Sequence, residues 1–229
     1  VIRFRRAKRL YIVHDTAGYG PPLDLIILNT NNVTRTTSPL TFDAPTVIYS
    51  GPPALKIFQS VRDTNEISVE VWLKPANTTQ AYGSSGARIV SISGDTLTRN
   101  ISLEQEGNFY DTRLRTSYTS LNGQPALETD PGTVSTNITH VVFTRNFGAS
   151  SVNIYLDGAL IATSTLAGSF SVWDPGFRLS LGNETTLNRG WLGDLYLVAI
   201  YDIALSASQV AWNFAAGPGG GIVLTTPTP

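Results

Sequence analysis

The chain has 229 residues, of which 41% are hydrophobic and 14% are charged. This composition suits one large all-β domain and argues against disorder. The chain contains no cysteine, which excludes disulfides, thiolate metal sites and a cysteine nucleophile. No apolar run approaches the roughly 18 residues of a transmembrane helix, so we expect no membrane insertion. Methionine is absent even at position 1, as in a fragment or in a mature chain whose leader was removed. A removed leader would place the chain outside the cytoplasm.

The first nine residues form a basic arm. It contains five of the sixteen basic residues, whereas the rest of the chain carries eleven basic and seventeen acidic side chains. Such an arm could bind nucleic acid, or it could dock on the acidic body of another copy. Because no second basic patch follows it, we expect no nucleic-acid partner.

Short strands separated by turn residues fill the body of the chain, residues 10–217. Residues 67–73 alternate strictly, which predicts a core strand with every second residue on one face. Residues 101–115 predict a hairpin about Gly107 and Asn108. The pair Asp157-Gly158 predicts a type I′ turn. Further strands are predicted at residues 88–93, 140–145, 152–156, 177–181 and 193–201.

Residues 189–217 predict a long strand that leads into a short helix. We expect Leu195 and Leu197 to share the core face of that strand. Ser206 fits the N-cap of the helix, with Gln209 closing a capping box, and Gly217 fits its end. Because no βαβ spacing occurs, the chain is predicted to be an all-β, two-sheet antiparallel sandwich with this one short C-terminal helix.

The order of these segments resembles the laminin-G-like jelly-roll family of the concanavalin A-like lectin/glucanase superfamily, in its bacterial-type form. The resemblance implies two curved antiparallel sheets in a jelly roll, in a protein that is secreted or exposed on the cell surface. The segments that carry it are residues 22–28, 66–77, 87–95, 99–123, 139–146, 154–162, 179–184 and 189–217.

We expect no catalysis. The Glu-x-Asp-x-x-Glu pattern of laminarinase-like members of the superfamily occurs nowhere in the chain, and both histidines, His14 and His140, are interpreted as structural. The hairpin places three acids on one face together with Arg113 and Arg115, which would keep the acids ionised, whereas a glycosidase needs a protonated acid. We interpret this face as a solvated salt-bridge ladder. Its acids are Glu104, Glu106 and Asp111.

The sequence allows both metal binding and glycan binding and assigns neither to particular residues. Some laminin-G-like domains bind calcium through loop oxygens, so calcium is an optional cofactor to which we assign no residues. Asn183-Glu184, Arg189, Trp191 and Asp194 form a polar cluster beside core strands, which could be a binding site but is better interpreted as a loop network. Five Asn-x-Ser/Thr sequons are candidate glycosylation sites. They are Asn32, Asn77, Asn100, Asn137 and Asn183.

Residues 218–229 form a glycine-rich spacer followed by a short uncharged β-prone segment. A terminal strand of this kind can complete the open sheet edge of a neighbour. The first hypothesis is therefore a non-catalytic, extracellular structural or adhesive subunit that assembles head-to-tail with copies of itself. The alternative is a lectin-like module that binds extracellular glycans. The residues expected to mediate assembly are Ile2, Phe4, Arg5, Arg6, Ile222, Val223 and Leu224.

Overall fold

A computed structural model describes residues 12–35, 39–82 and 85–219 as two packed antiparallel sheets. The arrangement is the predicted jelly-roll sandwich. In spatial order, the eight-stranded sheet consists of β1 (Ile12–Val13), β2 (Leu25–Ile27), β5 (Ile48–Ser50), β14 (Arg178–Leu181), β7 (Ala87–Ser93), β8 (Arg99–Glu106), β9 (Phe109–Leu114) and β10 (Leu127–Glu128).

The seven-stranded sheet packs against it and carries the longest strands of the fold. In spatial order, it consists of β13 (Ala159–Thr165), β12 (Ser151–Leu156), β11 (Thr139–Asn146), β6 (Ile67–Pro75), β15 (Gly193–Tyr201), β4 (Leu40–Phe42) and β3 (Val33–Arg35). The described residues form two α-helices, α1 (Leu55–Thr64) and α2 (Ala207–Ala216), together with 3-10 turns at Thr30–Asn32 and Phe170–Val172.

The strand predicted at residues 67–73 lies at the centre of the seven-stranded sheet, as β6 between β11 and β15. Val69 and Val71 are fully buried against the other sheet. The opposite face is also covered, because the side of the sheet that bears Val142 packs against α2. Burial on both faces explains why neighbouring polar residues such as Glu70 have almost no solvent exposure.

The expectation that Leu195 and Leu197 share a face is wrong. A β-bulge falls between them, and in the pairing with β6 Leu195 lies opposite Leu73 while Leu197 lies opposite Trp72. One extra residue reverses which side chains face the core. Leu195 is therefore buried in the core, and beyond the bulge the core positions pass to Val198 and Ile200.

Helix α2 begins and ends as predicted. The Ser206 hydroxyl accepts a hydrogen bond from the backbone N–H of Gln209, and the side-chain oxygen of Gln209 accepts one from the backbone N–H of Ser206. Leu205 before the helix and Val210 within it are buried in one cluster, as a hydrophobic staple requires. Gly217 ends the helix with a φ of 75°.

The prediction that the C-terminal helix is the only substantial helix is wrong, because α1 is also ten residues long. Its buried side is formed by Ala54, Ile57, Phe58 and Val61, at the i, i+3, i+4, i+7 spacing of an amphipathic helix. The helix, which lies between β5 and β6 in the chain, therefore packs on the core. Its first turn lacks the usual start signal, because the N-cap is Ala54, which makes no side-chain capping bond.

Both predicted hairpins are confirmed. Glu106 pairs with Phe109 around Gly107-Asn108, and Gly107 has a φ of 63°. At Asp157 and Gly158 both φ angles are positive, 49° and 81°, as a type I′ turn requires.

Neither helix within the described ranges combines the length and apolar character needed to cross a bilayer. The predicted domain boundaries, with an arm at residues 1–9 and a tail at 218–229, stay predictions.

Candidate functional site

The outer face of the eight-stranded sheet carries a cluster of charged side chains, which we call the charged cluster. It brings together three arginines and three acids from β7, β8, β9 and the loop that follows β14. Its members are Arg88, Arg99, Arg113, Glu104, Asp111 and Glu184.

Glu104 lies at the centre of this cluster. One of its carboxylate oxygens contacts Arg88, and the other accepts a bond of 2.5 Å from Nη1 of Arg99. Glu184 approaches from the loop and accepts a bond of 2.7 Å from Nε of Arg88. Asp111 pairs with Nε of Arg113 at 2.8 Å. Each arginine thus has an acid partner, and the three positive and three negative charges of the cluster balance.

The interpretation of this face as a solvated ladder is wrong. The side chains of Arg88, Arg99, Glu104 and Glu184 have no solvent exposure, and that of Arg113 is 6% exposed. Burial lowers the pKa of Arg99 to about 9, so that this side chain is still protonated at neutral pH. A soluble ligand has no access to these groups.

Two residues of the predicted ladder, Glu106 and Arg115, are not members of the charged cluster. Glu106 is partly buried, 3.7 Å from Arg113, and burial raises its pKa. Arg115 lies beyond the end of β9, where its carbonyl oxygen accepts a bond from Nε1 of Trp173.

The polar cluster at residues 183–194 is a loop network, as interpreted from the sequence. The Oδ1 atom of Asn183 accepts backbone bonds from Glu184 and Arg189. Trp191 is buried and donates its indole N–H to Gln105, and Asp194 accepts a bond from the hydroxyl of Thr41. The Asn183 bonds close the loop at residues 183–189, from which Glu184 reaches Arg88 of β7.

An accessible cleft of about 650 Å³ lies between α1 and the loop that joins β1 to β2. We call it the α1 cleft. This volume falls within the range of ligand sites in proteins. The described residues that line it are Tyr19, Gly20, Pro21, Lys56, Phe58, Gln59, Ser60, Arg62 and Asp63.

Asp15 holds the loop side of the cleft in place. Its carboxylate accepts backbone bonds of 2.9 Å from Ala17 and Leu23, and Lys56 of α1 lies 2.6 Å away. Burial alone would raise the pKa of Asp15, but these bonds outweigh it and the pKa is lowered. The loop is therefore anchored to the helix by one ionised carboxylate, and Tyr19 projects near its tip with 65% of its surface exposed.

The helix side of the cleft presents polar groups from the solvent-facing positions of α1. Gln59 and Asp63 are exposed and have no hydrogen-bond or ion-pair partner within the part of the chain that the structure describes. They are four residues apart and so lie on one side of the helix. The guanidinium of Arg62 lies 5.1 Å from the centre of the Phe58 ring. The cleft thus offers an aromatic ring, an amide, a carboxylate and a guanidinium.

The two histidines have structural partners. His14 lies 3.0 Å from Asp24, and His140 is fully buried, with Nε2 2.8 Å from Glu70. The described residues contain no group of three His, Asp or Glu side chains that could hold a metal ion.

The structure separates the five sequons by exposure. Asn77 and Asn137 are exposed and Asn32 is half-buried. Asn100 and Asn183 are buried, and their side chains bond to backbone groups of Asp174 and of the 183–189 loop. There is no room for a glycan at these two positions in the folded chain. The seven expected assembly residues, Ile2, Phe4, Arg5, Arg6, Ile222, Val223 and Leu224, lie outside the described residues.

A family model described as the concanavalin A-like lectin/glucanases superfamily, of laminin G type, matches residues 52–211. The chain belongs to this family. The match includes α1 but begins after Tyr19. No curated protein sequence matches the chain significantly.

Solved structures with a similar fold are distant in sequence. The carbohydrate-binding module CBM40 of Ruminococcus gnavus IT-sialidase, bound to α2,3-sialyllactose, aligns with a TM-score of 0.55 at 15% identity. The alignment covers 72% of this chain and 92% of that module. The binding domain of botulinum neurotoxin DC, in complex with SialylT, aligns with a TM-score of 0.59 at 13% identity, covering 89% of this chain and 48% of that one.

Trypanosoma rangeli sialidase in complex with 2,3-difluorosialic acid aligns with a TM-score of 0.61 at 13% identity. The alignment covers 90% of this chain but only 32% of the sialidase. At these identities the likeness shows the fold, and this fold occurs both in binding modules and in chains that contain an enzyme.

Proposed function

We propose that this chain is a non-catalytic glycan-binding module that acts outside the cell or on its surface, and that the sugar binds in the α1 cleft. One observation carries the proposal: the cleft is lined by an exposed tyrosine on one wall and, on the other, by an amide and a carboxylate that have no partner among the described residues. A pyranose has an apolar C–H face that an aromatic ring can cover, and hydroxyls that amide and carboxylate groups bind.

The fold supports the same proposal. Two of the similar structures are binding domains in complex with sialylated ligands. Head-to-tail assembly through the chain termini, our first hypothesis from the sequence, has no such support, and glycan binding takes its place.

The distribution of acids argues against glycoside hydrolysis. A glycosidase needs two carboxyl groups flanking the scissile bond, about 5–5.5 or 6.5–9.5 Å apart. Asp63 is the single acid among the described residues that line the cleft. The acids of the charged cluster are buried against arginines, away from any sugar. We therefore propose binding without turnover and without a required metal.

The test compares three tyrosine variants in titrations of the glycan with the strongest signal on a glycan array. Tyr19→Ala should weaken binding at least tenfold, about 1.4 kcal/mol, and Tyr19→Phe should retain it because the ring is kept. Tyr118→Ala is the matched control, since Tyr118 is 78% exposed and lies outside the cleft. An equal loss in Tyr19→Ala and Tyr118→Ala would refute the cleft as the site.

Two further measurements bear on the function itself. Binding should persist in EDTA, and a loss there would restore the calcium-dependent alternative. Incubation with the bound glycan should release no product; release that disappears in Asp63→Asn would make the chain an enzyme.

A further inference from the structure

Two of the described residues that line the α1 cleft are cations, and they differ in what they bind. Lys56 lies 2.6 Å from the carboxylate of Asp15, and the two side chains are 17% and 16% exposed. Arg62 is exposed, and its guanidinium makes no ion pair or hydrogen bond within the part of the chain that the structure describes. The positive charge that is available to a ligand is therefore that of Arg62.

The Arg62 guanidinium is held in place by an aromatic ring. It lies 5.1 Å from the centre of the Phe58 ring, four residues earlier in α1, and Phe58 packs on the core of the sandwich. This contact restrains the long side chain but uses none of its N–H donors. A guanidinium presents its donors as a planar fork that matches a carboxylate through two parallel bonds. The free donors of Arg62 are thus suited to a carboxylate.

The acid that lines the cleft lies on a different side of the helix from this guanidinium. Asp63 follows Arg62 by one residue, which places it about 100° further around the helix axis. It shares that side with Gln59, four residues earlier. Carboxylate and amide groups bind sugar hydroxyls. The two sides of α1 therefore match two parts of one ligand, its hydroxyls and an anionic group.

Building on the glycan-binding function proposed above, we propose that the ligand of the α1 cleft is an acidic sugar whose carboxylate binds Arg62. The sugar ring packs on Tyr19, and the hydroxyls bind Gln59 and Asp63. A hexuronic acid and a sialic acid share this chemistry, since each is a pyranose that carries one carboxylate. A neutral derivative of the same sugar keeps the ring and hydroxyl contacts but loses the charge-assisted pair with Arg62.

The test compares each acid with its own neutral derivative in calorimetric titrations of the full chain. Trigalacturonic acid and α2,3-sialyllactose represent the two sources of the carboxylate, and the primary amide of each lacks the charge. One of the acids should bind about tenfold or more tightly than its amide, because bonds between charged groups are the stronger ones. The difference should shrink at high salt, which screens exposed charges. The acid that shows the preference identifies the source.

Variants assign this preference to Arg62. In Arg62→Gln the acid and its amide should bind equally, and Arg62→Lys should keep part of the preference, because the charge is retained and the fork is lost. Arg178→Gln is the matched control. Arg178 is also exposed over an aromatic ring, 5.8 Å from the centre of Tyr49, but it lies outside the cleft. This control should keep the full preference, and the free energy of unfolding should be equal in the two glutamine variants.

The possible results separate the acid specificity from the function on which it rests. Acids and amides that bind the wild type equally, with a loss of binding in Tyr19→Ala, would leave the α1 cleft as a glycan site and overturn its acid specificity. A preference that persists in Arg62→Gln, or that Arg178→Gln removes equally, would also overturn it. Tighter binding of lactose 3′-sulfate than of either acid would overturn the choice of a carboxylate. A chain that binds no glycan would overturn both proposals.

Discussion

The charged cluster and the α1 cleft both contain opposite charges, but they differ in what those charges are free to do. In the cluster each arginine has an acid partner and solvent is excluded. In the cleft Gln59 and Asp63 are exposed and have no partner among the described residues. Both places contain unpaired polar atoms, because Arg88 Nη2, Arg99 Nε and Asp111 Oδ1 of the cluster have no hydrogen-bond partner among the described residues. Those atoms are buried, whereas the unpaired groups of the cleft are open to solvent. A soluble ligand can bind only groups that are open to solvent, and the cleft has such groups.

The largest expected effect concerns the charged cluster. Arg88→Met leaves Glu104 and Glu184 buried without one of their partners, and breaking a buried pair costs about 3–5 kcal/mol. Urea denaturation should show that loss in the free energy of unfolding. The matched control is Arg62→Met, which removes an exposed arginine from a ring contact and should cost less than about 1 kcal/mol. An equally small loss of unfolding free energy in Arg88→Met and Arg62→Met would mean that the charged cluster is solvated.

An intermediate effect is expected at Asp15, which anchors the loop side of the cleft. Asp15→Asn should lower the free energy of unfolding by about 1–2 kcal/mol at neutral pH, because hydrogen bonds to a charged group are lost. It should also weaken glycan binding by releasing the loop that carries Tyr19.

The pH dependence of this effect has a defined direction. Because the pKa of Asp15 is lowered in the folded chain, its stabilisation is complete above the pKa of the unfolded chain, about 3.9. It is lost as the pH falls through the lower folded pKa. The difference between the wild type and Asp15→Asn should therefore shrink on acidification in the same urea titrations. A difference that grows towards low pH would contradict the role given to this carboxylate.

The smallest effect on stability is expected on the exposed side of α1. Gln59→Ala and Asp63→Ala should each change the free energy of unfolding by no more than about 0.5 kcal/mol. Each should nevertheless weaken glycan binding by about tenfold in calorimetric titration. Asp130→Ala removes an exposed acid elsewhere and should change neither quantity. Unchanged binding in both cleft variants would remove α1 from the site.

Much of the fold was predictable because its signals are local. Alternation identified β6, β8 and β9 to within two residues at each end, and the capping box identified α2. The bulge in β15 carries no such signal, so Leu197 was placed on the wrong face. α1 was missed because it lacks a polar N-cap, although the spacing of Ala54, Phe58 and Val61 could have revealed it.

The sites depend on contacts that are distant in sequence. The hairpin pattern correctly placed Glu104, Asp111 and Arg113 on one face. The burial of Glu104 was not predictable, because its partner Arg88 also binds Glu184, which lies in a loop 96 residues after Arg88. The cleft likewise joins Tyr19 to a helix that begins at Leu55. No local pattern in a single sequence brings these residues together.

Helix α1 has a consequence for how this domain can change through evolution. Ala54, Ile57 and Val61 hold the helix on the core, while Gln59, Arg62 and Asp63 face solvent. Substitutions on the outer side leave the packing intact, so, if the α1 cleft binds a glycan as proposed, its ligand can change without a loss of folding stability. Related chains could therefore share this scaffold and differ in what they recognise through as few as three side chains.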